Sequence, residues 1–369
     1  MWLKRLSVLN FKNYSEGELE FSSGVNAFTG KNGAGKTNLL DAIHYLSLCK
    51  SYFNPIDSQQ IKTGENWFMV QGSFQKDGVS DVVSCAVKRN QKKQFHRNKK
   101  EYNRLADHIG LFPLVMITPN DNQIIIEGSE FRRRFMDNVI SQTDNQYLDT
   151  LIKYNKVLQQ RNTLLKQAKG QYQLDLSLLQ VFDGQLVEIG NQIYKRRLEF
   201  IEEFLPDFIT HYNFLSEEVE EVKLTYKSPL ENKDFQLLLE ENLEKDRYLE
   251  RTSQGIHRDD LVFTIHQDMP LKKFGSQGQQ KTFLIALKLA QFSFLKRNKK
   301  INPLLLLDDI FDRLDQSRTK KLMDMVSEEN FGQIFITDVD TQRLSDIFEQ
   351  IHREVRIFEI ENAEAKLKV

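Results

Sequence analysis

The stretch GKNGAGKT, residues 30–37, constrains this chain more than any other. It satisfies G-x-x-x-x-G-K-[ST] at every position, between an apolar run, GVNAFTG, and a helix-patterned run, KTNLLDAIHYLSLC. A strand that turns through glycines into a helix belongs in a sheet covered by helices, so the motif commits this part of the chain to an α/β fold. Gly30, Gly33 and Gly35 lack the Cβ that would hold backbone N–H groups off a phosphate oxygen, and Lys31, Asn32 and Ala34 complete the loop. Lys36 offers a point charge to β- and γ-phosphates, and the Thr37 hydroxyl a ligand for Mg²⁺. A plain glycine-rich turn is the competing explanation, and the flanking strand and helix count against it. The expected cofactors are ATP and Mg²⁺.

A nucleotide site needs carboxylates, and LLLLDDIFDRLD, residues 304–315, supplies them. The four leucines read as a strand buried on both faces, with Asp308 and Asp309 at its C-terminal end, where ligands collect in open α/β sheets. Asp308 is expected to hold the metal, and Asp309 to orient or deprotonate the attacking water. Taken alone, the two could equally be loop or capping aspartates.

The bulk numbers narrow the class. The chain has 369 residues, 28% of them charged, and a formal net charge of −1, so any nucleic-acid role must rest on local patches. Its two cysteines, Cys49 and Cys85, make no disulfide framework and have no metal spacing, which fits a reducing cytoplasm. The N-terminal stretch alternates and then turns charged, unlike a signal peptide. The apolar runs fall far short of a membrane span, so no membrane role is expected.

Along the chain, α/β material brackets a helical middle. LKRLSVLNF reads as a strand, residues 67–87 as a hairpin turning at Gly78, KKQFHRNKKEYNR as another turning near Asn98, and PLVMITP as a strand. The helix after the phosphate loop shows mostly one apolar face. From residue 131 to 206 the pattern is almost wholly helical; VEEVKLTYKSP is a strand and residues 234–250 a further helix. Strand and helix then alternate again, with helices expected from about Gln316 and from Gln342 to His352. The expected architecture is an α/β ATPase lobe formed by residues 1–130 and 251–369, with a mainly helical second lobe, residues 131–250, inserted between them. Two sequential domains are the alternative.

FGSQGQQKTFLIALKLA, residues 274–290, starts a helix with small and polar residues. Ser276 is a fair N-cap, and the free N–H groups of a helix start also suit an anion. SQGQQ resembles the signature of the ABC ATPase superfamily, and Leu314–Asp315 its D-loop. The resemblance implies two heads facing each other, with Ser276 and Gly278 of one capping the γ-phosphate held by the other, and Asp315 lining the same site. LSVLNFKNY, ITPND, GSEFRRRFMD, YNKVLQQRNTLLK, GIHRDDL and SQGQQK together resemble the RecF family of bacterial recombinational repair, in the SMC-like branch of that superfamily. The resemblance covers most of the chain. It implies an ABC-type P-loop ATPase head, ATP-dependent dimerisation on single-stranded and gapped duplex DNA, and cooperation with RecR and RecO in placing RecA. It also places Lys12 near the nucleotide, where a plain surface lysine is an equal alternative.

Three departures from the family pattern stand out. Pro119-Asn120-Asp121 replaces Pro-Glu-Asp, Asp312-Arg313 precede Leu314-Asp315, and Thr337-Asp338 stand where a switch histidine is usual. Asp309, shorter than the glutamate of transporters, predicts slow hydrolysis. For DNA, Lys92, Lys93, Arg97, Lys99 and Lys100 cluster in one β segment with Lys88, Arg89 and Arg104, and Arg132 and Arg133 open a helix. The first group either tracks phosphates or forms a solvated hairpin face; the second either meets DNA or pairs internally. The role of His257-Arg258-Asp259 is open. Two rival functions remain: a transporter's nucleotide-binding subunit, against which the roughly 240 residues between Gly35 and Ser276 speak, and an ATP-holding clamp that never hydrolyses.

Overall fold

The computed structural model describes residues 1–168, 174–216, 220–310, 318–322, 331–340, 343–344 and 353–368. The expected D-loop, with Leu314 and Asp315, and most of the last two expected helices lie outside these residues. The chain divides into two compact units: Met1–Asp121, His211–Glu217 and Lys281–Val369 form the first, and Asn122–Thr210 with Glu218–Gln280 the second. The boundaries by contact thus fall at 121/122 and 280/281, against the expected 130/131 and 250/251, because residues 251–280 pack with the inserted segment.

The first unit holds two six-stranded sheets. One is antiparallel, in the order β2 (Tyr14–Glu20), β1 (Trp2–Phe11), β4 (Trp67–Lys76), β5 (Val79–Lys88), β6 (Gln94–Arg97), β7 (Lys100–Glu101). Its β4–β5 and β6–β7 hairpins turn at Asp77-Gly78 and Asn98-Lys99, all four residues at positive φ, as a two-residue turn between right-twisted strands requires. The other sheet runs β15 (Glu364–Leu367), β14 (Val355–Glu361), β3 (Val25–Thr29), β13 (Ile334–Asp338), β12 (Leu304–Leu307), β8 (Leu114–Ile117), parallel from β14 to β8. Strands β3, β8, β12 and β13 are buried at every residue, which is why they read as unbroken apolar runs.

Helix α1 (Lys36–Leu48) touches β1, β4 and β5 of one sheet and β8 and β13 of the other. It is buried on both sides, polar Asp41, His44 and Ser47 included. The single apolar face expected from sequence is therefore corrected: the helix is the middle layer between two sheets. Phenylalanine fills much of the remaining space, with Phe21 meeting Phe28, Phe335 and Phe358 edge-on. Buried Gln333 ties the sheets together, donating to the Leu3 and Ser22 carbonyls and accepting from the Leu3 N–H.

The second unit is helical around a small sheet. Helices α2 (Gln123–Ile126), α3 (Ser129–Thr143), α4 (Asn145–Gln167) and α5 (Leu176–Leu215, whose last residues belong to the first unit) are followed by β9 (Val222–Lys227). The expected helix at 234–250 is two: α6 (Phe235–Glu241) and α7 (Leu243–Leu249), parted at Asn242. Strand β10 (Asp260–Ile265) pairs antiparallel with β9 and with β11 (Met269–Pro270), and the short α8 (Leu271–Phe274) leads to α9 (Gln277–Lys299), which from Lys281 onward belongs to the first unit. Two arginines, 0% and 1% exposed, organise this unit. Arg161 binds Asp183, Asp246 and Thr252, while Arg197 binds Asp137, Asp259 and the Ile256 carbonyl.

Candidate nucleotide site

The phosphate loop joins β3 to α1. Gly30 (φ 141°) and Gly35 (φ 120°) adopt backbone that disfavours any side chain. A Cβ on Gly30 would lie 2.3 Å from the Ile360 carbonyl oxygen, and one on Gly35 2.8 Å from Asn13 Nδ2. The loop is braced from outside: the Ala34 carbonyl accepts from Asn13 Nδ2 (3.2 Å) and from the Ala363 N–H (3.0 Å), and the Gly35 carbonyl from the Tyr14 hydroxyl (3.2 Å). Lys36 is buried, its Nζ donating to the Gly30 (2.7 Å) and Lys31 (3.1 Å) carbonyls, so the cation already sits under the loop.

Strand β12 delivers the carboxylates beside it. Thr37 Oγ1 donates to Asp308 Oδ1 at 2.8 Å, and Thr337 Oγ1, from the neighbouring β13, donates to the same oxygen at 2.8 Å. Burial pushes the Asp308 carboxyl above the usual range and nearby Asp309 adds to the rise, opposed by the two threonines. Asp309 takes a left-handed backbone (φ 46°), and its N–H bonds Thr337 Oγ1 at 3.0 Å. A non-glycine residue at positive φ, pinned at the end of a buried strand, stores the kind of strain found at working sites. At the switch position, Asp338 is buried and gripped by Arg343.

The other expected site residues fall in different surroundings. Lys12 is committed to the fully buried Asp41 (2.6 Å) and lies over the Phe11 and Phe53 rings. Ser276 is the N-cap of α9: its Oγ accepts from the Gln279 N–H, and Gln279 Oε1 accepts from the Ser276 N–H at 2.7 Å. This reciprocal cap leaves the hydroxyl proton of exposed Ser276 available for donation, so capping and anion binding do not compete. Gly278 lies in the first turn behind it. In the second unit, His257 bonds Tyr154 and the Thr252 carbonyl and Asp259 is consumed by Arg197 and Tyr226, which makes most of the open HRD motif internal bracing.

The basic residues separate into two sets. Lys93 pairs with Asp57 (2.8 Å) and donates to the Cys49 carbonyl; Arg97 grips Asp81 through two 2.9 Å bonds. Arg132 clasps Asp260, and Arg133 donates to the Asp259 carbonyl and Ser129. Lys92, Lys99 and Lys100 are exposed, as are Lys88 and Arg89. Sequence reasoning passed over Asn13 and Tyr14, although both adjoin Lys12 in FKNY, and noted Thr337 at the expected switch position without giving it a role.

A family model described as the RecF/RecN/SMC N terminal domain matches residues 2–366. The "DNA replication and repair protein RecF" of Flavobacterium johnsoniae is 49% identical over 98% of this chain and 100% of its own length; that of Phocaeicola vulgatus is 50% identical over 99% and 98%. A solved structure described as "the recombination mediator protein RecF-ATP in RecFOR pathway" superposes with a TM-score of 0.89 at 30% identity, covering 100% of this chain and 98% of the other. An Smc head domain from Pyrococcus furiosus superposes at 0.58 with 17% identity, a likeness of fold.

Proposed function

The chain belongs to the RecF family of DNA replication and repair proteins, and from that premise we propose that it is an ATP-gated clamp, two copies closing on single-stranded or gapped duplex DNA with nucleotide held between them. Its fold is that of an ABC-type ATPase head, and ATP is its nucleotide, as in the RecF-ATP structure. The observation that carries the reading is the convergence of Thr37 and Asp308 on one hydrogen bond at the phosphate loop.

The residues fit the cofactors they are assigned. Loop 30–37 presents backbone N–H groups with no Cβ at Gly30, Gly33 and Gly35, and Lys36 lies beneath to take phosphate charge. A threonine hydroxyl and a carboxylate oxygen 2.8 Å apart form a hard-oxygen pair suited to Mg²⁺. The metal, when bound, neutralises phosphate charge and orients the nucleotide. Asp309, held by Thr337, orients the attacking water or takes its proton, and its short side chain makes turnover slow. Exposed Ser276, with Gly278, caps the γ-phosphate of the facing protomer. Loss of the γ-phosphate then loosens the pair and its grip on DNA. Exposed Lys92, Lys99 and Lys100 meet phosphates of the DNA backbone. Family membership supports action in the cytoplasm, alongside RecR, RecO and RecA.

Sedimentation with and without Mg·ATP and a gapped duplex tests this. The wild type should pair only with ATP. Lys36→Met and Ser276→Arg should each stay monomeric, and their mixture should regain one of two shared sites and part of the turnover. A wild-type monomer at saturating Mg·ATP with gapped DNA present would overturn the clamp.

A further inference from the structure

One lysine in the apolar run of α9 has no place in the site described above. Lys288 is 5% exposed and stands among Leu284, Ile285, Leu287 and Leu289. Its Nζ pairs with Asp121 Oδ1 at 2.6 Å, donates to the Met116 carbonyl at 3.0 Å, and lies 3.2 Å from the Tyr52 hydroxyl. Tyr52 in turn donates to Asp121 Oδ1, and Asp121 Oδ2 accepts the Thr118 N–H at 2.7 Å. All of these residues belong to the first unit.

The position of this network gives it consequence. Met116 and Ile117 end β8; the Met116 carbonyl takes the Lys288 ammonium, and the Ile117 carbonyl takes the Asp308 N–H at 2.9 Å. Consecutive carbonyls of one strand therefore hold the pin on α9 and the metal carboxylate. On the other side, the Tyr52 N–H bonds Asp41 of α1, the helix that the phosphate loop opens. Burying a cation and a carboxylate costs desolvation that a leucine and a threonine would not, so a pair this enclosed serves geometry before stability. Apolar packing alone tolerates sliding and rotation of a helix, whereas an ammonium with three directed partners does not. Helix α9 runs unbroken from Gln277, so whatever fixes Lys288 also fixes the helix that Ser276 caps.

We infer that Lys288, with Asp121 and Tyr52, is a positioning centre for nucleotide turnover, locking the signature helix to the end of β8 beside Asp308. The inference rests on the reading of Ser276 as the residue that reaches a facing protomer's nucleotide. Lys288 touches no nucleotide atom in this scheme; it acts through α9 and β8.

The experiment compares the full-length wild type with Lys288→Met, Lys288→Arg and Tyr52→Phe, reading binding of a fluorescent ATP analogue, ATP-dependent dimerisation and the kcat–KM split. Lys288→Met should bind the analogue as the wild type does, because loop 30–37 is untouched, yet lose about tenfold or more in kcat and in dimerisation, since misplacement by an ångström is enough for such a loss. Lys288→Arg should recover part of both, and Tyr52→Phe, which removes one hydroxyl and keeps the ring, should show the same split more weakly. Should Lys288→Met not fold, Tyr52→Phe and Lys288→Arg decide alone. Wild-type kcat and dimerisation in the variants would overturn the positioning role while leaving the clamp intact. A wild type that never pairs with ATP would overturn the reading beneath it.

Discussion

Thr37 and Asp308 share a 2.8 Å hydrogen bond across 271 positions of sequence. One residue opens the helix after the phosphate loop, the other ends a strand of four leucines, and the parallel order β3-β13-β12 brings them together. The bond falls on a carboxylate that burial pushes toward its neutral form, so Thr37 helps keep Asp308 charged, as the metal-holding role proposed for it requires. Thr37→Ala should weaken ATP binding about tenfold in Mg²⁺, in line with the ~1.5–3 kcal/mol of a hydrogen bond to a charged group, and little in EDTA. Thr37→Ser should restore it. Titration of a fluorescent ATP analogue with and without the metal measures both; equal loss in EDTA would remove Thr37 from the proposed metal site.

The basic β segment makes a contrasting prediction. Lys92, Lys99 and Lys100 are exposed, but Arg97 is spent on Asp81. Replacing the three lysines by glutamine should weaken DNA binding for every sequence tested and flatten its salt dependence, by about one in slope for each phosphate no longer neutralised. Arg97→Gln should leave the salt slope unchanged and lower stability instead. An unchanged slope in the triple variant would place the DNA elsewhere on the molecule.

These two cases show which parts of the site were readable in the sequence. The phosphate loop, Asp308 and the apolar strand before it are local patterns, whose chemistry follows from residues a few positions apart. Lys12, Lys93, Arg97, Arg132 and Arg133 looked alike as charges, because what separates a free cation from a spent one is a carboxylate brought in by the fold. Arg97 meets Asp81 only through the pairing of β5 with β6, and Lys12 meets Asp41 only because α1 is buried against β1. Lys288 was hidden the other way, inside a run whose apolar neighbours set the pattern. The breadth of burial on α1 was missed because His44 and Ser47 satisfy their polar atoms inside the layers, on the Lys50 and Phe112 carbonyls.

Two buried histidines, His44 and His108, and the half-buried His257 predict the acid side of the stability profile. Burial lowers His44, His108 and His257 from 6.5 to about 4, and the Nε2–H of His108 is held by the Leu46 carbonyl while its Nδ1 accepts from Tyr102. The unfolded chain therefore binds more protons than the folded one between pH 6.5 and about 4, and stability is lost as pH falls through that window. Each histidine that stays neutral in the fold costs at most about 1.4 kcal/mol of stability for every pH step taken downward there. His108→Gln, whose amide can still donate to Leu46, should make the urea midpoint less sensitive to pH between 6.5 and 4.5, with about a third of the histidine-linked slope gone. A slope identical to wild type would mean that His108 is protonated in the fold.

Arg197 makes the sharpest prediction for the second unit. Its guanidinium, 1% exposed, bonds Asp259, Asp137 and the Ile256 carbonyl, joining α3, α5 and the turn before β10. Asp259 is itself 0% exposed, and burial already pushes its carboxyl up. Removing the arginine alone strands that carboxylate, so Arg197→Met should cost about 3–5 kcal/mol in urea unfolding. Asp259→Asn alone leaves the cation with Asp137 and should cost less. In the double variant no charge remains stranded at Asp259, so its loss should fall well short of the two single losses added, with a coupling of about 1–3 kcal/mol. Strict additivity would show that the arginine holds the helices through packing of its stem, and that its charge contributes nothing to the junction.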